Sequence, residues 1–290
     1  MELVAHIKDL YENEFQPCLN LPSGKNYRYH IKMNNLFLNM TGDIVKWQNL
    51  ESQYTRKIIE SIPESYVLND FVMDQVLFSS SRKTEPMHWT FGENFKIPYF
   101  LIDSKFIGTE TLSRRIVLLK AKEQVEKLWK EVQRFPKLSS VYLFIMQIYD
   151  IISFETFMGS LTSLRLKCNM IGETFELKNI SETQSSLGLG FYSEESIFKN
   201  GIFNVTFMGY TSFKEKSCAF FLYRCDGSKV KMVDDVLKAK REGSSYYSGT
   251  LIIDVETWSL VAGTMMEDYI AVQNKRSIRV KRNIKTEIEL

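Results

Sequence analysis

The chain has 290 residues, 44% of them apolar and 25% charged, with a net charge of +2. That is enough apolar material for a sizeable core without disulfide or metal staples. The charge is too balanced for a dedicated nucleic-acid binder, and no run approaches the ~20 apolar residues of a membrane helix.

Aromatic residues make up 13% of the chain, with 20 Phe and 14 Tyr, which favours β-structure or an aromatic-lined cavity. Four scattered cysteines, Cys18, Cys168, Cys218 and Cys225, include no Cys-x-x-Cys pair, so free thiols are expected. The opening "MELVAHIKDLYENEF" has neither a basic n-region nor a continuous apolar stretch. The expectation is a cytoplasmic chain as written, or a periplasmic or secreted one if a signal peptide has been removed.

Residues 1–20 begin with Leu3, Val4, Ile7, Leu10 and Tyr11 on one helical face, which predicts a short amphipathic helix packed on the body. From Tyr27 the period changes. Tyr27, Tyr29, Ile31 and Met33 alternate with Arg28, His30, Lys32 and Asn34, the pattern of a half-buried strand. "IVKWQNLESQYTRKIIESI", "PESYVLNDFVMDQVLFSSS" and "KIPYFLIDSKFIG" continue the series, so 25–178 reads as a first antiparallel meander. One helix, residues 121–135, is inserted in it. Val125, Leu128, Trp129 and Val132 share its apolar face, and Pro136 ends it.

"VYLFIMQIYDIISFETFMG" reads as an apolar hairpin. The Ser- and Gly-rich stretch 179–190 reads as a linker, and 191–290 as a second meander, packed with the first as one unit. Within it, "GIFNVTFMGYTSFKEKSCAFFLYRC" is a hairpin, "REGSSYYSG" a flexible loop, and "GTLIIDVETWSLVAG" a second apolar hairpin whose return strand starts at Trp258. Phe-x-Gly at 106–108 and again at 207–209 suggests an internal duplication. In the tail, Ile278, Val280, Arg282, Ile284 and Ile288 alternate with charged residues, and the expectation is a Lys- and Arg-guarded sheet edge, a place where a protein partner could add. The fold class is therefore mainly β: a large curved antiparallel sheet or open half-barrel, a candidate duplication, an N-terminal helix and one inserted amphipathic helix.

The long meander, the Phe-x-Gly hairpin, the covering helix and the Ile-Asp-x-x-Thr turn of "LIIDVETW" together resemble the bacterial periplasmic lipoprotein carriers of the LolA/LolB type. The resemblance covers roughly residues 25–180, with an echo at 200–270. It implies a curved sheet around an apolar cavity, and it carries over no site residues.

No metal or cofactor motif is present. His6, His30 and His88 are not spaced as zinc ligands, and Gly-x-Ser-x-Gly, Gly-x-Gly-x-x-Gly and the P-loop pattern are absent. Three functional readings follow. The first is a non-enzymatic binding or carrier protein for an apolar or amphiphilic small molecule or lipid, with Trp89, His88, Tyr246, Tyr247 and Trp258 as ligand-binding residues around one concave pocket. The second is a cofactor-free cyclase, isomerase or hydratase using a buried acid, with Asp103, Glu110 and Glu267 as candidates. The third is a structural or protein-interaction module.

Overall fold

The computed structural model describes residues 2–12, 17–63, 65–81, 85–91, 96–102, 116–118, 168–177, 197–199, 201–234, 239–273 and 276–289, and Phe15, Ile151, Phe154 and Met158 singly. A helix α1 (Glu2–Glu12) precedes the strands β1 (Asn26–Leu38), β2 (Ile44–Ile62), β3 (Tyr66–Ser80), β4 (Met87–Thr90), β5 (Lys96–Ile102) and β6 (Ile116–Leu118). The remaining strands are β7 (Thr174–Leu177), β8 (Ile197–Lys199), β9 (Ile202–Phe213), β10 (Lys216–Asp234), β11 (Ala239–Asp254), β12 (Leu260–Gln273) and β13 (Arg276–Ile288).

They form one antiparallel sheet in the order β6-β5-β3-β2-β1-β13-β12-β11-β10-β9-β7, with β4 on β3 and β8 on β10. Among the described residues the sheet is open. Two meanders are joined where β1 lies against β13, Tyr29 opposite Ile288 through Leu38 opposite Arg279. The tail expected at an edge is thus a central strand, paired with β1 on one side and β12 on the other. Arg279, Lys281 and Lys285 lie on one face of a two-sided strand, a pattern that sequence alone shares with a charged edge.

Period-2 alternation selects the inner face. Tyr29, Ile31, Met33, Leu50, Tyr54, Phe71, Phe221, Leu251, Ile253, Met265 and Ile284 are all buried. Tyr29 stacks on Tyr54 at 5.2 Å and Tyr54 on Phe71 at 4.9 Å, which knits three strands. The Tyr29 hydroxyl crosses to donate to the Leu260 carbonyl at 2.8 Å. Helix α1 buries Leu10, and Tyr11 meets Tyr210 edge-on at 4.7 Å.

The Phe-x-Gly of 207–209 has a structural cause. Phe221 pairs with Phe207 and Phe220 with Gly209, so Met208 is the extra residue of a β-bulge, and Gly209 takes φ +118°. A Cβ there would press on the Tyr11 hydroxyl at 2.9 Å, and the Tyr210 amide donates to that same oxygen at 3.0 Å. The bulge is the seat of α1. The corresponding 106–108 segment lies outside the described residues, as do helix 121–135 and linker 179–190.

Three expectations are corrected. Ile151, Phe154 and Met158, inside the first apolar "hairpin", are helical and fully buried. Their i, i+3, i+7 spacing marks one helix face, and a nearly continuous apolar run hides that period from the eye. "REGSSYYSG" is paired strand, because Gly243 and Gly249 lie where β11 and β12 come close. A Cβ at either glycine would collide with the carbonyl of Ile270 or Thr264. The return strand starts at Leu260, two residues later than expected. Trp258 stays in the corner, with φ +56° and its amide donating to Asp254 at 2.8 Å. Asp254 is buried and anchors this corner, accepting from Lys216, the Glu256 amide and the Thr257 hydroxyl.

All four cysteines are free thiols, and burial pushes those of Cys168 and Cys218 up to about 12. Native alkylation at pH 8 should therefore spare these two and label half-buried Cys18. Labelling of Cys168 or Cys218 at the rate of an unfolded chain would contradict that burial. Gly249→Ala should destabilise the protein by roughly 3 kcal/mol or more in a urea melt. A loss below about 1 kcal/mol would show that β11 and β12 are further apart than described.

Candidate functional site

The outer face is built from the residues between the buried ones. Because directly opposed residues of antiparallel strands share a face, they line up in rows across the sheet. One row runs Ser79, Asn49, Asn34, Asn283 and Met266 through β3, β2, β1, β13 and β12. The next runs Leu77, Glu51, Lys32, Lys285 and Thr264 through the same strands. Asn34 donates to Asn49, and the hydroxyls of Thr264 and Thr250 meet at 2.7 Å.

These two rows floor a trough of about 710 Å³. Met266 is 60% exposed and Leu77 41%, one towards each end of the trough. Both lysines are matched in charge: Lys32 lies 3.3 Å from Glu51, and Lys285 lies 2.9 Å from Glu287. Their aliphatic stems add apolar surface without a strong net field.

A third row runs Gln75, Gln53, His30 and Glu287, and its first three residues, with Glu51, Ser52, Leu77 and His88, line a smaller cavity of about 320 Å³. Glu51 and Leu77 belong to both cavities. His30 Nε2 lies 2.7 Å from Glu51 Oε1. Partial burial of Glu51 raises its carboxyl, but hydrogen bonds and charge from Lys32 and His30 more than offset this, so it titrates below its ordinary value.

The inner face carries a polar row of its own, one register position beyond the Asn34 row. Ser80, Gln48, Asn35, Arg282, Glu267, Tyr247 and Cys225 face one another in turn across six strand pairs. Arg282 Nε donates to Asn35 at 2.9 Å, Arg282 Nη1 lies 3.9 Å from Glu267, and Ser245 donates to Glu267. Burial pushes the Tyr247 phenol well up.

The five expected ligand residues divide between the two faces. His88 is exposed and lines the smaller cavity, opposite Leu77. Trp89 lies opposite buried Val76 on the inner side and stacks with Phe91 at 6.5 Å. Tyr246 is on the outer face, 46% exposed, and its neighbour Tyr247 is buried on the inner one. Trp258 is fully buried between Phe15 and Phe221, at 5.9 and 6.1 Å. Of the three candidate acids, Asp103 and Glu110 lie outside the described residues, and Glu267 is held by Ser245 and Arg282.

Sequence reasoning missed the outer rows altogether. Polar residues on the polar phase of a strand look like ordinary solvent contacts until the register brings them side by side. The inner row did leave a signal, since Asn35 and Arg282 are polar residues in the apolar phase.

No protein-family model matches the chain, and no curated protein matches its sequence. Among solved structures it is similar to lipovitellin, determined for its lipid–protein interactions, at 12% identity and TM-score 0.48. That alignment covers 93% of this chain, which spans about a quarter (25%) of the lipovitellin chain. DynF of the dynemicin biosynthesis pathway of Micromonospora chersina follows at 6% identity and TM-score 0.24, covering 96% and 86% of the two chains. An outer membrane channel from Pseudomonas putida is matched at 9% identity and TM-score 0.28, over 93% and 97%. Among the described residues no helix is long and apolar enough to cross a membrane, and no group of three or more potential metal ligands occurs.

A carboxyl with a lowered folded-state value adds stability that is present above the ordinary glutamate range and lost as pH falls through the folded value. The urea midpoint of the parent should therefore fall more steeply between pH 7 and pH 3 than that of Glu51→Gln. Parallel pH profiles would show that Glu51 is not held in this way.

Proposed function

We propose that the chain is a non-enzymatic binding protein for an amphiphilic small molecule, which lies in the trough across β3, β2, β1, β13 and β12. The observation that carries this reading is the trough itself. Its volume of about 710 Å³ falls within the ~300–1,000 Å³ of small-molecule sites. Its walls combine exposed Met266 and Leu77 and two lysine stems with a continuous ladder of amide and hydroxyl groups. An apolar tail can cover the former while polar groups satisfy the latter. A soft, unbranched Met side chain suits a flexible apolar partner.

This reading keeps the carrier resemblance at its coarsest, a curved sheet that holds an amphiphile. It places the ligand on the outer face rather than among the inner aromatic residues, whose side chains are already packed against one another. His88 lies outside this trough, in the smaller cavity beside Leu77.

Calorimetric titration of the full chain with octanoate should show saturable binding. Met266→Asp removes apolar surface and adds a charge that repels the carboxylate, so it should weaken binding roughly tenfold or more. Saturable binding that Met266→Asp leaves unchanged, or the absence of saturable binding, would dismiss the trough as the site.

A further inference from the structure

The smaller cavity beside the trough has a hydrogen-bonding character of its own. Three of its lining side chains, His88, Gln75 and Gln53, form a chain that ends on Glu289 outside it. His88 Nε2 meets Gln75 Oε1 at 3.3 Å, the Gln75 amide donates to Gln53, and the Gln53 amide donates to Glu289 at 2.7 Å. Glu289, a carboxylate, can only accept, and this sets the direction of the whole chain. Each amide turns its N–H towards Glu289 and its oxygen back towards His88. The His88 ring must then donate through Nε2, which leaves Nδ1 as its acceptor in the neutral form.

His30 repeats the logic. Its Nε2 faces the Glu51 carboxylate at 2.7 Å and donates there, so the acceptor of the neutral ring is again Nδ1. Glu51 adds carboxylate oxygens that are still able to accept. Among its lining groups each neutral imidazole keeps one acceptor nitrogen and Glu51 its carboxylate oxygens, beside the amide N–H groups of Gln53 and Gln75 and the Ser52 hydroxyl, which donates to the Gln75 carbonyl. Its lining includes no lysine or arginine.

We propose that this cavity is a subsite for a neutral, hydroxyl-rich group of the sugar type, carried by the amphiphile whose tail lies in the trough. The proposal rests on the trough reading and adds the chemistry of the head group. Three features select that chemistry. Hydroxyl groups supply the donors that the acceptors require. Lys32 is already engaged by Glu51 at 3.3 Å, so it offers an anionic head no unmatched cation. At about 320 Å³ the cavity suits one ring-sized group, and Leu77 and Glu51 line both cavities, so a head group here lies next to a tail in the trough.

The test compares octyl β-glucoside with octanoate, which share an eight-carbon scale of tail and differ in head group, by calorimetric titration of the full chain. The glucoside should bind more tightly. Gln75→Leu breaks the chain that orients His88, and His88→Leu removes the ring. Each should weaken glucoside binding about fivefold, the equivalent of one neutral hydrogen bond, and leave octanoate binding unchanged. Thermal melts of both variants check that the sheet is intact. If octanoate binds as tightly as the glucoside, or if the two substitutions affect both ligands alike or neither, the subsite is overturned. Sensitivity of both ligands to Met266→Asp would then show that the trough still stands. If neither ligand binds the parent chain, both the subsite and the trough fail.

Discussion

The pairing of β1 with β13 is the contact on which the rest depends. It joins strands from opposite ends of the described chain, with Tyr29 opposite Ile288 and Leu38 opposite Arg279. Without it the two meanders would each present an open edge, and no row of side chains could pass from one to the other. The trough and the buried polar row behind the sheet both cross this seam. The amide row passes through it at Asn34 and Asn283, the charged row at Lys32 and Lys285, and the buried polar row at Asn35 and Arg282. A shift of one residue at the seam would turn Asn34 inward and Asn35 outward, so the apolar phase of Tyr29, Ile31 and Met33 also fixes the site.

The two faces divide the work. The inner face spends its large aromatic side chains on packing: Tyr29, Tyr54 and Phe71 in one stack, Phe221, Trp258 and Phe15 in another. That packing fixes the backbone from which the outer side chains project, and a site built on strands is held more firmly than one built on loops. The polar row on the inner face is satisfied chiefly within itself, through Arg282, Asn35, Glu267 and Ser245. A polar residue placed in the core in this way favours one register over its neighbours, since a slipped strand would leave a buried charge without its acceptor.

The fold class was legible because alternation is a strong signal wherever one face is wet. Residues 27–34 and 278–288 show it plainly, and both are strands as expected. Two kinds of segment were misjudged, for different reasons. Around Ile151, Phe154 and Met158 nearly every residue is apolar, so neither period stands out. In 241–249 the glycines and serines read as a loop, although a Cβ at Gly243 or Gly249 would collide with the neighbouring strand. The tail reads as an edge because a charged face looks the same in a central strand and an edge strand. Of the five residues expected to bind ligand, only His88 lines either cavity of the candidate site. Its other residues are distant in sequence and become a surface only through register, which no local pattern encodes.

The turn between β9 and β10 has a consequence for how this sheet comes together. Lys214 and Glu215 both take positive φ, 48° and 62°, values that a two-residue hairpin turn requires and that glycine or asparagine would adopt more readily. Here Lys214 instead reaches across to the carbonyl of Ile288 and lies 4.0 Å from Glu287. The turn is thus helped into shape by the last strand of the sheet. As the chain leaves the ribosome, β9 and β10 emerge before that strand exists, and β1 waits longer still for the same partner. Both the strained turn and the unpaired edge of β1 stay provisional until residues 276–288 arrive. The nascent protein is then a half-built sheet that must be kept from pairing with its neighbours, and arrival of the final strand serves as the latch.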